Sequence, residues 1–302
     1  MKIRPVKDWK SKIRFGKPHK KAEAPRKKKR LKYIAVLPSI ITLMNGACGF
    51  IAIVFTSQSP EIAWLFLRNL DMNSFALVGY IIFLAMIADV LDGRVARLTR
   101  TTSSFGGQLD SLCDAISFGV APAFLMMKAA EFYLENISFE NPMFSVLINR
   151  GIFFSAIFYA MCTIVRLARF NVENEDDEAA HMNFAGLPSP AAAGVVVSLI
   201  IFYKQYLSEI AAFQIIFVIS LPLLTLLAGI LMMSRLRYPH LPNHMLRAKK
   251  TLPSLLLIFA CGIFIVWNIQ LALLVGFCGF MFFGLLRWVV ISISKKVPQP
   301  QV

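Results

Sequence analysis

Charge is scarce in this chain. Only 16% of its 302 residues are Asp, Glu, Lys or Arg, against roughly 25% in soluble domains. Histidine occurs four times and cysteine five times. Cys48, Cys113, Cys162, Cys261 and Cys278 sit singly inside apolar segments without CxxC spacing. That pattern excludes a thiolate zinc site or a disulfide framework and leaves them as small buried hydrophobes. His240 and His244 are four apart, but Pro239 and Pro242 break the helix that would bring both to one metal. What remains is apolar. The chain is 57% hydrophobic with mean hydropathy +0.63, above the roughly 45–50% apolar share of soluble domains.

Runs of roughly 17–25 apolar residues read as membrane spans, and eight are visible. They cover approximately 34–57, 74–98, 106–132, 150–170, 188–204, 211–233, 252–269 and 271–291. The last two meet at Asn268 to Gln270, a corner tight enough for a helical hairpin. The expected fold class is an all-α polytopic membrane protein. Pro188 and Pro190 are placed to start the fifth span, where a missing N–H costs little. The basic start is too long for a signal-peptide n-region, and the apolar run after it is of span length, so retention of the first span is expected.

The net charge of +15 invites a nucleic-acid reading, which its distribution opposes. Residues 1–33 hold fifteen of the 32 Lys and Arg, with only Trp9, Phe15 and Tyr33 as aromatics and none within the run Arg26 to Arg30. Arg235, Arg237, Arg247, Lys249 and Lys250 cluster between spans six and seven. The alternate loops carry little more than Arg68, Arg150 and Lys204. By the positive-inside rule the basic side is cytoplasmic, so both termini are expected there, in a cell inner membrane, without a nucleic-acid partner. The basic N-terminus would also attract anionic lipid headgroups.

Against this apolar background, residues 89–114 read DVLDGRVARLTRTTSSFGGQLDSLCD. Asp89 and Asp92 are three apart; Asp110 and Asp114 are four apart. Residues at those spacings share a helix face. A buried, ionised carboxylate needs a partner or a metal. Four on adjacent helices imply one or two divalent cations, and hard oxygen ligands suit Mg²⁺, Mn²⁺ or Ca²⁺. Two such ions could clamp a pyrophosphate and orient an incoming hydroxyl. Gly93 and Ala96 leave a shallow surface, Arg97 one turn on can reach a phosphate, and Gly106 keeps the approach to Asp110 and Asp114 open. The competing reading is a proton or ion pathway in a transporter. The interleaved Gly, Ala and Arg and the lack of a matching internal repeat argue against it.

The spacing Asp-x2-Asp-Gly-x2-Ala-Arg-x8-Gly-x3-Asp-x3-Asp resembles the signature of the CDP-alcohol phosphotransferase family at every fixed position. The resemblance implies a membrane enzyme that displaces CMP from a CDP-linked lipid or alcohol by an acceptor hydroxyl. It implies metal ligation by Asp89, Asp92, Asp110 and Asp114, with Asp114 also the general base, and two Mg²⁺ or Mn²⁺ ions. Gly93, Ala96, Arg97 and Ser103 would bind the CDP substrate. It also implies a homodimer.

Flanking stretches are similar to the family's bacterial integral-membrane phosphatidylserine synthases: LPSIITLMN from Leu37 to Asn45, DAISFGVAPA from Asp114 to Ala123, RLARFN from Arg166 to Asn171 and FAGLPSPAAAG from Phe184 to Gly194. Ser39 departs from the asparagine of many relatives. The similarity implies CDP-diacylglycerol as donor and L-serine as acceptor; choline, inositol or glycerol 3-phosphate are the other acceptors in view. Arg166, Arg169 and Asn171 then form a pocket for serine carboxylate or phosphate, or alternatively the arginines snorkel to headgroups. Asn171 to Glu178 is expected to be a solvated acidic loop and not a second metal site. The expected organisation is a basic segment 1–33, a six-helix catalytic core 34–240 and a two-helix extension with a short basic tail, 241–302.

Overall fold

The computed structural model describes residues 28–57, 74–99, 104–137, 142–176, 186–234, 236 and 267–294. Every regular element among them is helical. They are α1 (Lys28–Ser57), α2 (Ser74–Thr99), α3 (Ser104–Asp114), a π-helical turn (Ala115–Val120), α4 (Ala121–Glu135), α5 (Pro142–Asp176), α6 (Ser189–Tyr206), α7 (Ala211–Met233) and α8 (Ile269–Ser294). Six stretches are long and apolar enough to cross a bilayer: Pro38–Ser57, Phe75–Leu98, Phe105–Glu135, Pro142–Val172, Ala211–Met233 and Ile269–Trp288. Their outward faces carry Leu43, Phe50, Leu84, Ile87, Phe154, Ile216 and Leu223 in exposed positions, which a soluble protein could not leave in water but lipid accepts. The protein is a polytopic, all-α membrane protein.

These six match six of the eight expected spans, and α6 falls at the fifth. The seventh, 252–269, lies outside the described residues except for Trp267, Asn268 and Ile269, as do Cys261, His240 and His244. Asn268 caps the start of α8: its Oδ1 accepts the Leu271 N–H at 3.0 Å and its carbonyl accepts that of Ala272, while the expected hairpin with the seventh span lies outside the described residues. One expectation fails. The acidic stretch from Asn171 is not a loop from its start, because α5 stays helical through Asp176. The sequence NVENED contains neither Gly nor Pro, so nothing stops the helix where it leaves the apolar region.

The bundle closes around α4 and α6. α1 packs along α2, α5 along α7, and α6 sits between α2, α7 and α8. The buried core runs through Ile82, Phe118, Leu125, Met126, Ile152, Tyr159, Val196, Ile200 and Leu221. α8 is seated on α6 by Phe277, whose ring fills the space where a side chain at Gly194 would stand and stacks on Phe83 with centroids 5.6 Å apart. Gln270 and Asn268 donate to the hydroxyls of Tyr80 and Tyr206. α8 therefore begins at the end of the bundle where α6 finishes.

Two local features determine how the third span meets its neighbours. The first is the π-helical turn directly after Asp114. Pro122 has no N–H to offer Phe118, four residues back, and its ring crowds that carbonyl. The Ala121 N–H bonds instead to Ile116, five residues back, and the hydroxyl of Tyr159 on α5 donates to the Phe118 carbonyl at 3.0 Å. The second is a close crossing with α1. A Cβ at Gly46 would stand 2.9 Å from Cys113 Sγ, and one at Gly49 2.7 Å from Ser117 Cα. Only glycine lets the two backbones approach this far.

Gly49→Ala is therefore expected to cost about 1–3 kcal/mol through overpacking. Gly276→Ala on α8, where nothing lies within 4 Å of the new methyl, should cost nothing. Thermal melts of the two purified variants in detergent measure the difference; equal melting temperatures would contradict the close crossing.

Candidate active site

Asp89 and Asp92 lie one turn apart on α2, and Asp110 faces them from α3. One carboxylate oxygen from each meets the others within 4.8 Å. Asp92 is buried, Asp89 and Asp110 half-buried. Asp114, one turn further along α3, is buried at 7% exposure. It stands outside that trio but within electrostatic reach of all three. Arg166 on α5 is within electrostatic reach of Asp114.

The arrangement is unfavourable as it stands. Like charges a few ångströms apart repel, and burial strips them of water. Asp92 Oδ2 and Asp110 Oδ1 are buried without any hydrogen-bond partner. Unpartnered carboxylate oxygens converging from two helices are the donor set of a hard divalent cation. The residues present fit such an ion.

The other sequence-predicted residues fall around this centre. Gly93 is exposed, with nothing within 4 Å of where its side chain would be, so the α2 face beside the acids is open. Ala96 is half-buried on the same helix, and exposed Arg97 folds back so that its Nε donates to the Gly93 carbonyl at 3.0 Å. Ser103 lies outside the described residues. From α5, Arg166 comes within electrostatic reach of Asp114 while its Nη1 donates to Ser189 Oγ, at the start of α6, at 2.9 Å. The Asn171 side chain accepts from Ser111 Oγ at 2.9 Å. It therefore meets the acidic helix at Ser111, the position between the two aspartates' turns. Arg169 is half-buried on the same helix end. The structure thus brings Arg166 and Asn171 to the acidic helix from a span more than fifty residues away in sequence.

Sequence reasoning assigned no role to Asn45, which is fully buried on α1 and donates its Nδ2 to Asp114 Oδ1 at 2.8 Å. Nor did it single out Ser117, whose hydroxyl donates to the Asn45 carbonyl at 2.8 Å. A signal was present: a carboxamide in the middle of a membrane span is costly without a partner, and Gly46 and Gly49 beside it mark the helix crossing. Gly186, at φ +91°, turns the chain into α6; a Cβ there would stand 3.0 Å from the Ser234 carbonyl. Its N–H donates to Leu236 and that of Leu187 to Leu231, which ties the start of α6 to the end of α7.

Residues 35–226 match the CDP-alcohol phosphatidyltransferase family. A CDP-diacylglycerol–serine O-phosphatidyltransferase of Methanocaldococcus jannaschii is 33% identical over 213 residues, 70% of this chain and 78% of that protein. One of Helicobacter pylori is 32% identical over 241 residues, 80% of this chain and 92% of that protein. An archaetidylserine synthase of Methanothermobacter thermautotrophicus is 30% identical over 213 residues, 70% and 72% of the two chains. The chain belongs to the CDP-alcohol phosphatidyltransferase family. α8 lies beyond the matched residues.

The open space at Gly93 separates stability from activity. Gly93→Ala fills no occupied volume and removes a helix-weakening glycine, so it should raise stability slightly, by up to about 1 kcal/mol. If a nucleotide lies on this face, the added methyl should lower the rate of CMP release at low CDP-substrate concentration. A melt together with a substrate titration checks both; unchanged kinetics would place the nucleotide elsewhere.

Proposed function

We propose that the protein transfers the phosphatidyl group of CDP-diacylglycerol to the hydroxyl of L-serine, yielding phosphatidylserine and CMP. The observation that carries this reading is the convergence of Asp89, Asp92 and Asp110, with Asp114 one turn deeper, at one end of a membrane bundle of the CDP-alcohol phosphatidyltransferase family. Serine is the acceptor because the names of the relatives share serine even where their lipid differs. Arg166, half-buried near Asp114, supports an acceptor carrying a carboxylate.

Asp89, Asp92, Asp110 and Asp114 would hold the metal, Mg²⁺ or Mn²⁺, as two ions. Cations held there would supply positive charge against the pyrophosphate and the departing CMP. The diacylglycerol tails stay in the bilayer while the nucleotide lies over Gly93, Ala96, Arg97 and Ser103. Asp114 takes the proton from the serine hydroxyl. The serine oxygen then attacks the lipid-proximal phosphorus, the new P–O bond forms, and the bond to the CMP oxygen breaks. Asn45, whose Nδ2 donates to Asp114 Oδ1, holds Asp114 in orientation. Arg166, with Arg169 and Asn171 at the rim, accommodates the acceptor carboxylate or the lipid phosphate.

The molecule would sit in a cell inner membrane with both termini and the acidic centre on the cytoplasmic side, as the distribution of Lys and Arg favours. Its organisation is a basic segment 1–33, a catalytic core 34–240 and an extension 241–302, and it works as a homodimer.

Purified protein in mixed micelles with CDP-diacylglycerol and Mn²⁺ or Mg²⁺ should release CMP with serine, and not with choline, inositol or glycerol 3-phosphate. Asp114→Asn should lower that rate by about 10²–10⁴ or more while retaining CDP-diacylglycerol binding. CMP release with one of the other alcohols but not with serine would overturn the acceptor assignment.

A further inference from the structure

Three polar contacts line up where the third span passes α5. Tyr159 donates to the Phe118 carbonyl at 3.0 Å. Arg166 stands within electrostatic reach of Asp114. Ser111 Oγ donates to Asn171 Oδ1 at 2.9 Å. Stepping back from Phe118 to Asp114 to Ser111 moves the partner forward from Tyr159 to Arg166 to Asn171, which is one continuous antiparallel register. Asp114 and Arg166 are therefore bracketed by a hydrogen bond about one to two turns away on either side.

The two brackets differ in support. On the Phe118 side the segments are close: a Cβ at Gly119 would stand 3.2 Å from Thr163, and Phe118 and Tyr159 are fully buried. On the Ser111 side, α3 is exposed at Phe105, Gly107, Gln108 and Leu112, so apolar packing contributes less to holding it against α5. The hydroxyl itself behaves unlike its neighbours. Ser155, Thr163 and Thr225 turn back on the carbonyl four residues earlier in their own helices. Ser111 has that alternative in Gly107, at 3.2 Å, but its bond across to Asn171 is the shorter. One hydroxyl proton serves one acceptor at a time.

Resting on the serine reading above, we infer that Ser111 is a positioning residue for acceptor binding. Its bond to Asn171 holds the exposed part of α3 against α5. That sets the span between Arg166, which takes the acceptor's carboxylate, and Asp114, which takes the proton of its hydroxyl. Asp110, the adjoining residue, points about 100° away around the helix, toward Asp89 and Asp92 on α2. Loss of the Ser111 hydroxyl therefore disturbs the acceptor side and spares the metal side.

The test uses full-length protein in CDP-diacylglycerol micelles with Mn²⁺ and reads the KM for serine, the KM for the donor and kcat separately. Ser111→Ala should raise the serine KM by about 3- to 10-fold, the weight of one net hydrogen bond, and leave the donor KM unchanged. Its melting temperature should still rise with Mn²⁺ as the wild type's does. Ser111→Thr, which keeps the hydroxyl, should restore the wild-type serine KM. In an Asn171→Ala background, Ser111→Ala should add nothing further, because the bond is already gone. The role is overturned if Ser111→Ala leaves the serine KM unchanged, or if it shifts serine KM, donor KM and Mn²⁺ response together. It is equally overturned if the Ser111 and Asn171 substitutions act additively. A wild type inactive with serine but active with another alcohol instead defeats the serine reading itself; Ser111→Ala then tests the tie through the KM of that alcohol.

Discussion

Three carboxylates within 4.8 Å of one another, two of whose oxygens are buried and unpartnered, govern the rest of this structure. In a bundle this apolar, Arg166 stands within electrostatic reach of the deeper Asp114 and is itself held by Ser189. A fold that keeps such a cluster sacrifices stability for a site that is complete only with a bound cation. The surrounding helices are arranged to hold these groups in place. α2 carries two acids in its last three turns, α3 carries two in its second half with Asp114 as its last residue, and α1 crosses behind α3 with glycine at the contact.

The same arrangement gives the site its depth. Because Gly46 and Gly49 let α1 touch the backbone of the third span, Asn45 can bond directly to Asp114. The π-helical turn that follows is locked by Tyr159 and Ser117, so Asp114 ends one helical register and begins another. π-Turns recur at functional sites because they re-aim side chains without breaking the helix. On the opposite flank, Arg166 is held by Ser189, and Gly186 ties the start of α6 to the end of α7. Groups from α1, α2 and α5 therefore surround one carboxylate of α3.

Much of this was legible in the sequence. Apolar run length located the described membrane helices to within a few residues, except that α5 begins at Pro142, eight residues before the expected 150, because lipid leaves the backbone no alternative to a helix. The spacing of Asp89, Asp92, Asp110 and Asp114 placed the acids on facing surfaces, since helical periodicity is a local property. What escaped was tertiary. The register change at Ala115 depends on Pro122 acting four residues back and on a hydroxyl from α5. The Asn45–Asp114 bond spans 69 positions and has no local signature. The continuation of α5 to Asp176 was obscured because a run of acids suggests a solvated loop, although nothing in it breaks a helix. The seating of α8 on α6 follows from packing of Phe277 on Gly194, a contact between segments that periodicity treats independently.

The central claim is that the carboxylate cluster is a metal centre and a source of strain without its metal. Thermal melting of wild type and of a variant combining Asp89→Asn, Asp92→Asn and Asp110→Asn, each in chelator and in Mn²⁺, addresses it without reference to turnover. Removing mutual repulsion should make the variant melt at or above wild type in chelator. Ligand linkage should raise the wild-type melting temperature with Mn²⁺ concentration, by about 2.7 kcal/mol of stabilisation at a hundredfold excess over Kd, and leave the variant unmoved. A wild type that melts identically in chelator and in Mn²⁺, or a variant that responds to Mn²⁺ as wild type does, would contradict the account.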